Sequence, residues 1–211
     1  MEESFWHQRW QDNQIGFHLP APNELLLKHL SALNLAPTAR VFLPLCGKTR
    51  DIAWLLEQGH RVAGAELSEL AVQQLFQELS LTPRATSHGA LKLYQADKLD
   101  VWVGNILALT PQLLGAVDAI YDRAALVALP YEMRRQYAPL LIDLSHRAPQ
   151  LLITFSYDQA LHAGPPFSID ATEVNALYQG HYACQLLESR ELPQGLKGLF
   201  PAQEEVWLLR P

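Results

Sequence analysis

Hydrophobic and polar positions divide the chain into short apolar runs separated by amphipathic segments. Residues 41–45, VFLPL, form a nearly unbroken apolar run, the pattern of a strand covered on both faces. Cys46-Gly47-Lys48-Thr49 interrupts it, and Ile52, Leu55 and Leu56 then recur at helical spacing with Trp54 beside them. Gly59 stands where a helix C-terminus favours a left-handed residue, because glycine has no Cβ to clash there. Residues 61–65, RVAGA, read as a second short strand that ends on Glu66. The stretch 40–66 is therefore predicted as strand, turn, helix and strand with an acid at its tip, and the remaining chain is organised around it.

Before this unit, residues 23–35 are amphipathic, with Leu26, Leu27, Leu30 and Leu33 predicted on one face, Asn23 as N-cap and Pro37 as terminator. After it, Ser68 caps a helix carrying Leu70, Ala71, Leu75, Phe76 and Leu79. Residues 83–89 read as loop, 91–94 as an edge or hairpin strand, 101–104 as a better strand, and Thr110-Pro111 as the start of a short helix. A strand at 117–121 ends in Asp122-Arg123, and Pro130 opens a long helix with Met133, Tyr137, Leu140, Leu141 and Leu144. A strand at 151–155, a stiff loop at 162–167, a helix at 170–178 and strands at 182–188 and 205–209 complete the chain. Alternating strands and helices that finish on two strands without a helix predict an α/β doubly wound, mostly parallel sheet with an antiparallel last strand and helices on both faces. No repeat, low-complexity tract or linker composition breaks residues 1–211, so one domain is expected. Residues 1–22 carry Phe5, Trp6, Trp10 and Phe17 among polar groups and are expected to be an arm that packs on the body.

Composition narrows the partners. The 211 residues are 49% hydrophobic and 18% charged, within the globular range. A formal net charge of −6 without a Lys/Arg block argues against nucleic acid. Two cysteines, Cys46 and Cys184, in no CxxC pattern fit a reducing compartment, and the polar start without an apolar h-region predicts no signal peptide. No apolar run reaches the roughly 18 residues of a membrane span, so a cytoplasmic protein with no membrane partner is expected. The pattern contains neither a coiled coil nor a long exposed apolar stripe, and a monomer is the expectation.

The candidate chemistry gathers at strand ends. The turn at Leu45-Cys46-Gly47 lies at the carboxyl end of the first strand, where open α/β sheets bind ligands. Its glycine signal is thin: Gly47 stands alone where a dinucleotide fold shows GxGxxG, and Phe42 occupies the first-glycine position of a Walker A loop. Glu66 follows about twenty residues on, the spacing of an acid that accepts both ribose hydroxyls, although an ordinary helix-start acid fits the same position. Asp122 and Arg123 are expected to point into one crevice, the arginine offering a planar donor fork to a carboxylate or heteroaromatic; a surface ion pair is the alternative. Trp10 and Phe17 are placed to cover a ligand or to anchor the arm, and His162 is a lone loop histidine. Cys46 is either a reactive thiol at a helix N-terminus or a small buried residue. No His/Cys/Asp cluster has metal-ligand spacing, so no metal is expected, and no GxSxG nucleophile elbow occurs. These features alone leave open an NAD(P)-dependent oxidoreductase or epimerase and a catalytically inactive binding module.

FLPLCGK at 42–48, GHRVAGAELSELAVQQLF at 59–76, YDRAALVALP at 121–130 and SYDQALHAGPPF at 156–167 occur in an order that resembles the thiopurine S-methyltransferase family, in its shorter bacterial form. The leader WHQRWQDNQIGFH at 6–18 is similar to that family's N-terminal cap. The resemblance implies a class I methyltransferase, a seven-stranded sheet, S-adenosylmethionine as methyl donor, and residues 1–22 as a cap over the active site. Carried over by position, it implies cofactor contacts from Trp10, Leu45, Glu66 and Arg123, with Asn105 and Ile106 lining the adenine. Phe17 and Pro165, Pro166 and Phe167 would wall the acceptor pocket. The implied reaction is in-line attack on the sulfonium methyl by the sulfur of a small aromatic or heterocyclic thiol, or by a selenium or tellurium species, with Arg123 also stabilising the acceptor anion. Between 188 and 203 no further substrate-binding arginine aligns.

Overall fold

The computed structural model describes residues 3–211; Met1 and Glu2, the start of the predicted arm, lie outside the described residues. The chain forms two compact units, one to Ala119 and one from Ile120 to Pro211. In the first unit α1 (Glu3–Gln11) and α2 (Glu24–His29) precede β1 (Arg40–Pro44), α3 (Arg50–Glu57), β2 (Arg61–Glu66) and α4 (Glu69–Glu78). A meander of β3 (Arg84–His88), β4 (Leu91–Ala96) and β5 (Leu99–Val103) follows, then α5 (Pro111–Leu114). The strand order in this unit is β3-β4-β5-β2-β1. β1, β2 and β5 run parallel, whereas β3 and β4 are antiparallel to their neighbours. Val41, Phe42, Val62, Ala63, Leu99 and Val101 are fully buried, as unbroken apolar strands between helical layers require. Helix starts are capped as their sequences suggest: Asn23 accepts from Leu25 and Leu26, Thr49 from Asp51, and Ser68 from Ala71.

The second unit comprises β6 (Ala119–Arg123), α6 (Tyr131–Leu144), β7 (Gln150–Ser156), α7 (Ala171–Tyr178), β8 (Ala183–Glu191) and β9 (Gln203–Arg210). Its strand order is β6-β7-β9-β8, with β6 and β7 parallel and β9 antiparallel to both neighbours. The predicted antiparallel last strand is present. Pro130 is the N-cap of α6 and not its first helical residue.

The sheet strands number nine among the described residues, against the seven expected. One extra is β3, which falls in the predicted 83–89 loop. Its five residues, RATSH, show no apolar alternation because neither face is covered, so the periodicity that reveals other strands is absent. The predicted leucine stripe at 23–35 is also revised. After His29 the chain tightens into a 3-10 turn at Leu30–Leu33, so the 3.6-residue period lapses; Leu25, Leu26 and Leu33 are buried and Leu27 is exposed. Among the described residues no helix is long and apolar enough to cross a membrane.

Candidate active site

In the first unit three parallel strand tips meet around one carboxylate. β1 ends in a turn whose backbone is left-handed at Leu45 (φ 47°) and Gly47 (φ 52°). That turn is drawn to the next strand: Cys46 N–H donates to the Ala65 carbonyl at 3.0 Å, and Gly47 N–H donates to Glu66 Oε2 at 2.8 Å. Glu66 Oε1 accepts from Ser68 N–H at 2.8 Å, so the acid also holds the start of α4. On the other side Gly104 N–H, just past β5, donates to the Glu66 carbonyl at 2.9 Å. The next residues are Asn105 and Ile106, which open a 3-10 turn at Ile106–Ala108.

Glu66 is 6% exposed. Burial raises its carboxyl above the ordinary value, opposed by the hydrogen bonds from the Ser68, Gly47 and Leu67 backbone. Gly47 and Ser68 N–H occupy one lone pair on each oxygen and the Leu67 backbone adds a third contact, so the group retains acceptor capacity for a hydroxyl donor. The Cys46 thiol is raised well above its usual value by burial and then by the Glu66 charge. That is the signature of an inert packing residue, and it removes the reactive-thiol reading. Cys46 Sγ instead fills the space beside Gly64, where a Cβ would approach it to 2.8 Å.

α1 lies across this site. Trp10 is its buried residue, and its ring covers Gly47: a Cβ there would come within 2.9 Å of Trp10 Cζ2. The lone glycine of the turn is therefore required twice, for its φ and for the indole above it. Phe17 packs edge-on to Trp10 at 5.6 Å and to Trp6 at 5.9 Å. At the other end of α1, Asn105 Nδ2 donates to Glu3 Oε1 at 2.8 Å, while Asn105 Oδ1 accepts from Leu107 N–H. Both ends of the Asn105 amide are thus engaged, and Ile106 beside it is buried. Of the predicted residues, Trp10, Phe17, Leu45, Glu66, Asn105 and Ile106 are brought together in this unit. A cavity of about 380 Å³ at the opposite strand ends, lined by Arg40, Arg61, Asp100 and Trp102, contains none of them. There Arg40 is occupied by Asp100 at 2.8 Å and by the Leu114 carbonyl.

The second unit holds the other predicted residues. Arg123 ends β6, half-buried, and Ala124 after it is left-handed (φ 60°). Asp122 does not share its direction. Successive strand side chains alternate, and Asp122 is fully buried, accepting from Tyr137 Oη at 2.7 Å and Leu126 N–H at 3.0 Å. The expectation of two charges entering one crevice is corrected accordingly. Loop 162–167 is held by Phe167 N–H on the Val127 carbonyl (2.7 Å) and Tyr157 Oη on the Pro166 carbonyl (2.6 Å). The Arg134 guanidinium lies 5.6 Å from the Phe167 ring centroid.

One participant escaped the sequence reading. Lys197 Nζ, from the hairpin loop between β8 and β9, donates to the Pro165 carbonyl at 2.8 Å and lies 3.1 Å from His162 Nε2. Gly164 N–H donates to His162 Nδ1 at 3.0 Å. Burial and then the Lys197 charge hold the imidazole below its ordinary value. The available signal was the pair of glycines flanking Lys197. Gly195 is left-handed (φ 71°) and a Cβ on it would collide with the Phe200 carbonyl, so the loop folds tightly enough to aim the lysine. Among the described residues no group of three or more His, Cys, Asp or Glu side chains is placed to hold a metal.

The family model described as Thiopurine S-methyltransferase (TPMT) matches residues 1–210. A thiopurine S-methyltransferase of Xanthobacter autotrophicus is 56% identical over 210 residues, covering 99% of each chain. One from Teredinibacter turnerae is 50% identical over 99% of this chain and 97% of its own. Among solved structures, the Burkholderia thailandensis 1,6-didemethyltoxoflavin-N1-methyltransferase, with bound 1,6-didemethyltoxoflavin and S-adenosylhomocysteine, superposes with a TM-score of 0.68 at 18% identity, covering 99% of this chain and 87% of that one. The magnesium protoporphyrin IX methyltransferase of Synechocystis, with bound S-adenosylhomocysteine, gives 0.66 at 12% identity over the whole of both chains. At such identities the likeness is one of fold, and the fold is that of class I methyltransferases. The chain belongs to the thiopurine S-methyltransferase family and is an S-adenosylmethionine-dependent methyltransferase.

Proposed function

We propose that the enzyme methylates the sulfur of a small aromatic or heterocyclic thiol, of the thiopurine kind, with selenium and tellurium species as secondary acceptors. S-adenosylmethionine, when bound, would supply a sulfonium methyl open to in-line attack by a soft nucleophile, the S–CH3 bond breaking to leave S-adenosylhomocysteine. The chain's own residues then have to bind, orient and exclude water. Glu66 receives the ribose on its remaining acceptor capacity, and the missing Cβ of Gly47 lets the Trp10 indole close down on the turn after Leu45. Ile106 gives the adenine an apolar wall, and Asn105 shapes the turn that presents it. Trp10 closes the site from α1 with Phe17 behind it, so residues 1–22 act as a cap within a single functional domain of 1–211. Arg123 contacts the cofactor and steadies the acceptor anion, whose flat body meets Pro165, Pro166 and Phe167.

The observation that carries the thiol reading is His162. A neutral imidazole has one acceptor nitrogen, and each of its nitrogens faces a donor, Gly164 N–H at Nδ1 and Lys197 Nζ at Nε2. In either tautomer the lone pair of the one imidazole in the acceptor loop is taken and cannot receive a substrate proton. An acceptor that arrives already ionised needs no general base, and acidic heterocyclic thiols meet that condition near neutral pH. The test is methyl transfer from labelled S-adenosylmethionine to a panel of thiopurines, aliphatic thiols, phenols and amines. Preferential labelling of heterocyclic thiols is expected; labelling of amines or phenols alone would overturn the reading. We further infer a monomeric, cytoplasmic, detoxifying enzyme that acts on small molecules; the formal net charge of −6 counts against nucleic acid as partner. Membership in a cofactor-dependent enzyme family leaves no support for the dinucleotide and inactive-module alternatives.

A further inference from the structure

The second unit contains a buried polar cluster that the transfer reaction does not itself require. Asp122 lies inside the β6 layer with no exposure, and its two oxygens are divided between two elements. Oδ2 accepts from Tyr137 Oη on α6 at 2.7 Å, and Oδ1 accepts from Leu126 N–H, in the 3-10 turn Leu126–Ala128, at 3.0 Å. Tyr178 on α7 lies near enough that its phenol, raised chiefly by burial, is raised further by the Asp122 charge. An acid this deep is costly in a core unless its geometry is used.

What that geometry does is visible in the residues it brackets. Between Asp122 and Leu126 the chain leaves β6 and passes Arg123. It turns through a left-handed alanine, Ala124 (φ 60°), before entering the 3-10 turn whose Val127 carbonyl anchors Phe167. A non-glycine residue in that region is strained and persists only where its surroundings impose it. The Asp122 to Leu126 hydrogen bond spans this turn and closes it. Adjacent strand positions face opposite ways, so a carboxylate locked inward fixes the outward direction of its neighbour.

We propose that Asp122 is a positioning residue for Arg123: its carboxylate, pinned to Tyr137, holds the Ala124 turn closed and sets the direction in which the Arg123 guanidinium leaves β6. The inference rests on the assignment of Arg123 to cofactor and acceptor. Asp122 touches neither and acts only through the turn. Asparagine retains an oxygen for Leu126 N–H, and the Tyr137 hydroxyl can reverse its role to accept from the amide. Alanine retains neither.

The test is a double-mutant cycle on the full chain, read as kcat/KM for methyl transfer and as affinity for S-adenosylhomocysteine. Asp122→Ala is expected to lower kcat/KM at least about tenfold, as small displacements of a positioning group do. Asp122→Asn should restore most of the loss. In an Arg123→Ala background, Asp122→Ala should have little further effect, because the route to the reaction is already gone. Additive losses, or no rescue by asparagine, would overturn the proposal. Tyr137→Phe removes a single hydroxyl and keeps the cycle decisive should Asp122→Ala fail to fold; it should show a smaller loss with the same non-additivity. If Arg123→Ala changes neither transfer nor cofactor affinity, the role of Arg123 is wrong and the inference falls with it. A failure confined to the choice of thiol is separable, since the cycle runs with whichever acceptor is methylated.

Discussion

The strand tips around Glu66 and the loop at 162–167, the proposed cofactor and acceptor surfaces, are fixed by different means. The Glu66 site is held almost entirely by backbone groups: Gly47, Ser68 and Gly104 N–H converge on one residue, and Cys46 N–H reaches across to β2. The 162–167 loop is held largely by side chains, among them Lys197 on Pro165, Tyr157 on Pro166 and Arg134 over Phe167. A backbone-built site tolerates change in its surroundings but not in the few residues at its centre. A side-chain-built wall can be retuned one residue at a time. The comparison predicts which half of the enzyme is rigid in sequence and which half can carry acceptor preference.

The largest expected effect is therefore at Glu66. Glu66→Ala removes the proposed ribose acceptor and strands two buried N–H donors, so S-adenosylhomocysteine binding should weaken by about 1–3 kcal/mol, roughly ten- to hundredfold. Isothermal titration measures this, and unchanged affinity would mean the acid has another role. Asp122 gives an effect of similar size on stability. Burial pushes its carboxyl from 3.8 up to about 6, a native value raised above the unfolded one. Its stabilising contribution is thus present below pH 3.8 and lost as pH rises through about 6. Across that window the natural protein should lose about 3 kcal/mol relative to Asp122→Asn, at about 1.4 kcal/mol per pH unit. Urea melts of the pair at several pH values read it, and parallel pH profiles would refute it.

Gly47→Ala tests the backbone-built side more gently. A methyl at φ 52° beneath Trp10 should cost about 1–2 kcal/mol, seen as a lower Tm and a shifted indole fluorescence. An unchanged Tm would mean that neither the left-handed backbone nor the indole constrains this position. The smallest effect should come from Lys197→Met, which removes an exposed donor worth about 1 kcal/mol. It should raise KM for the acceptor a few-fold and leave S-adenosylhomocysteine affinity alone; equal losses in both would erase the distinction between the sites.

What was legible in the sequence follows the same line. The unit at 40–66 could be read because its strands are apolar throughout and its helix is amphipathic, and spacing alone singled out Glu66 at the strand tip. Trp10 and Phe17 were visible as aromatics in a polar leader, although only the structure reveals why Gly47 needs no glycine neighbours: an indole, not a further loop, lies on it. Long-range side-chain contacts left no periodic trace. Lys197 reaches Pro165 across many intervening residues, and Asp122 read as a crevice charge beside Arg123 because its partner Tyr137 lies on the next helix. β3 was missed because hydrophobic alternation reports burial, and β3 is not buried.

That exposed strand has a consequence for the molecule's behaviour in a crowded solution. β3 ends the strand order of its unit, so its outer rim offers backbone donors and acceptors to any passing chain. An apolar rim would act as a template for stacking one molecule on the next. Arg84 makes it cationic at one end, Ser87 and His88 make it polar at the other, and Thr86 and His88 are tied to each other at 3.1 Å. The same polarity that hides β3 from a hydrophobicity plot keeps the open edge from seeding aggregation.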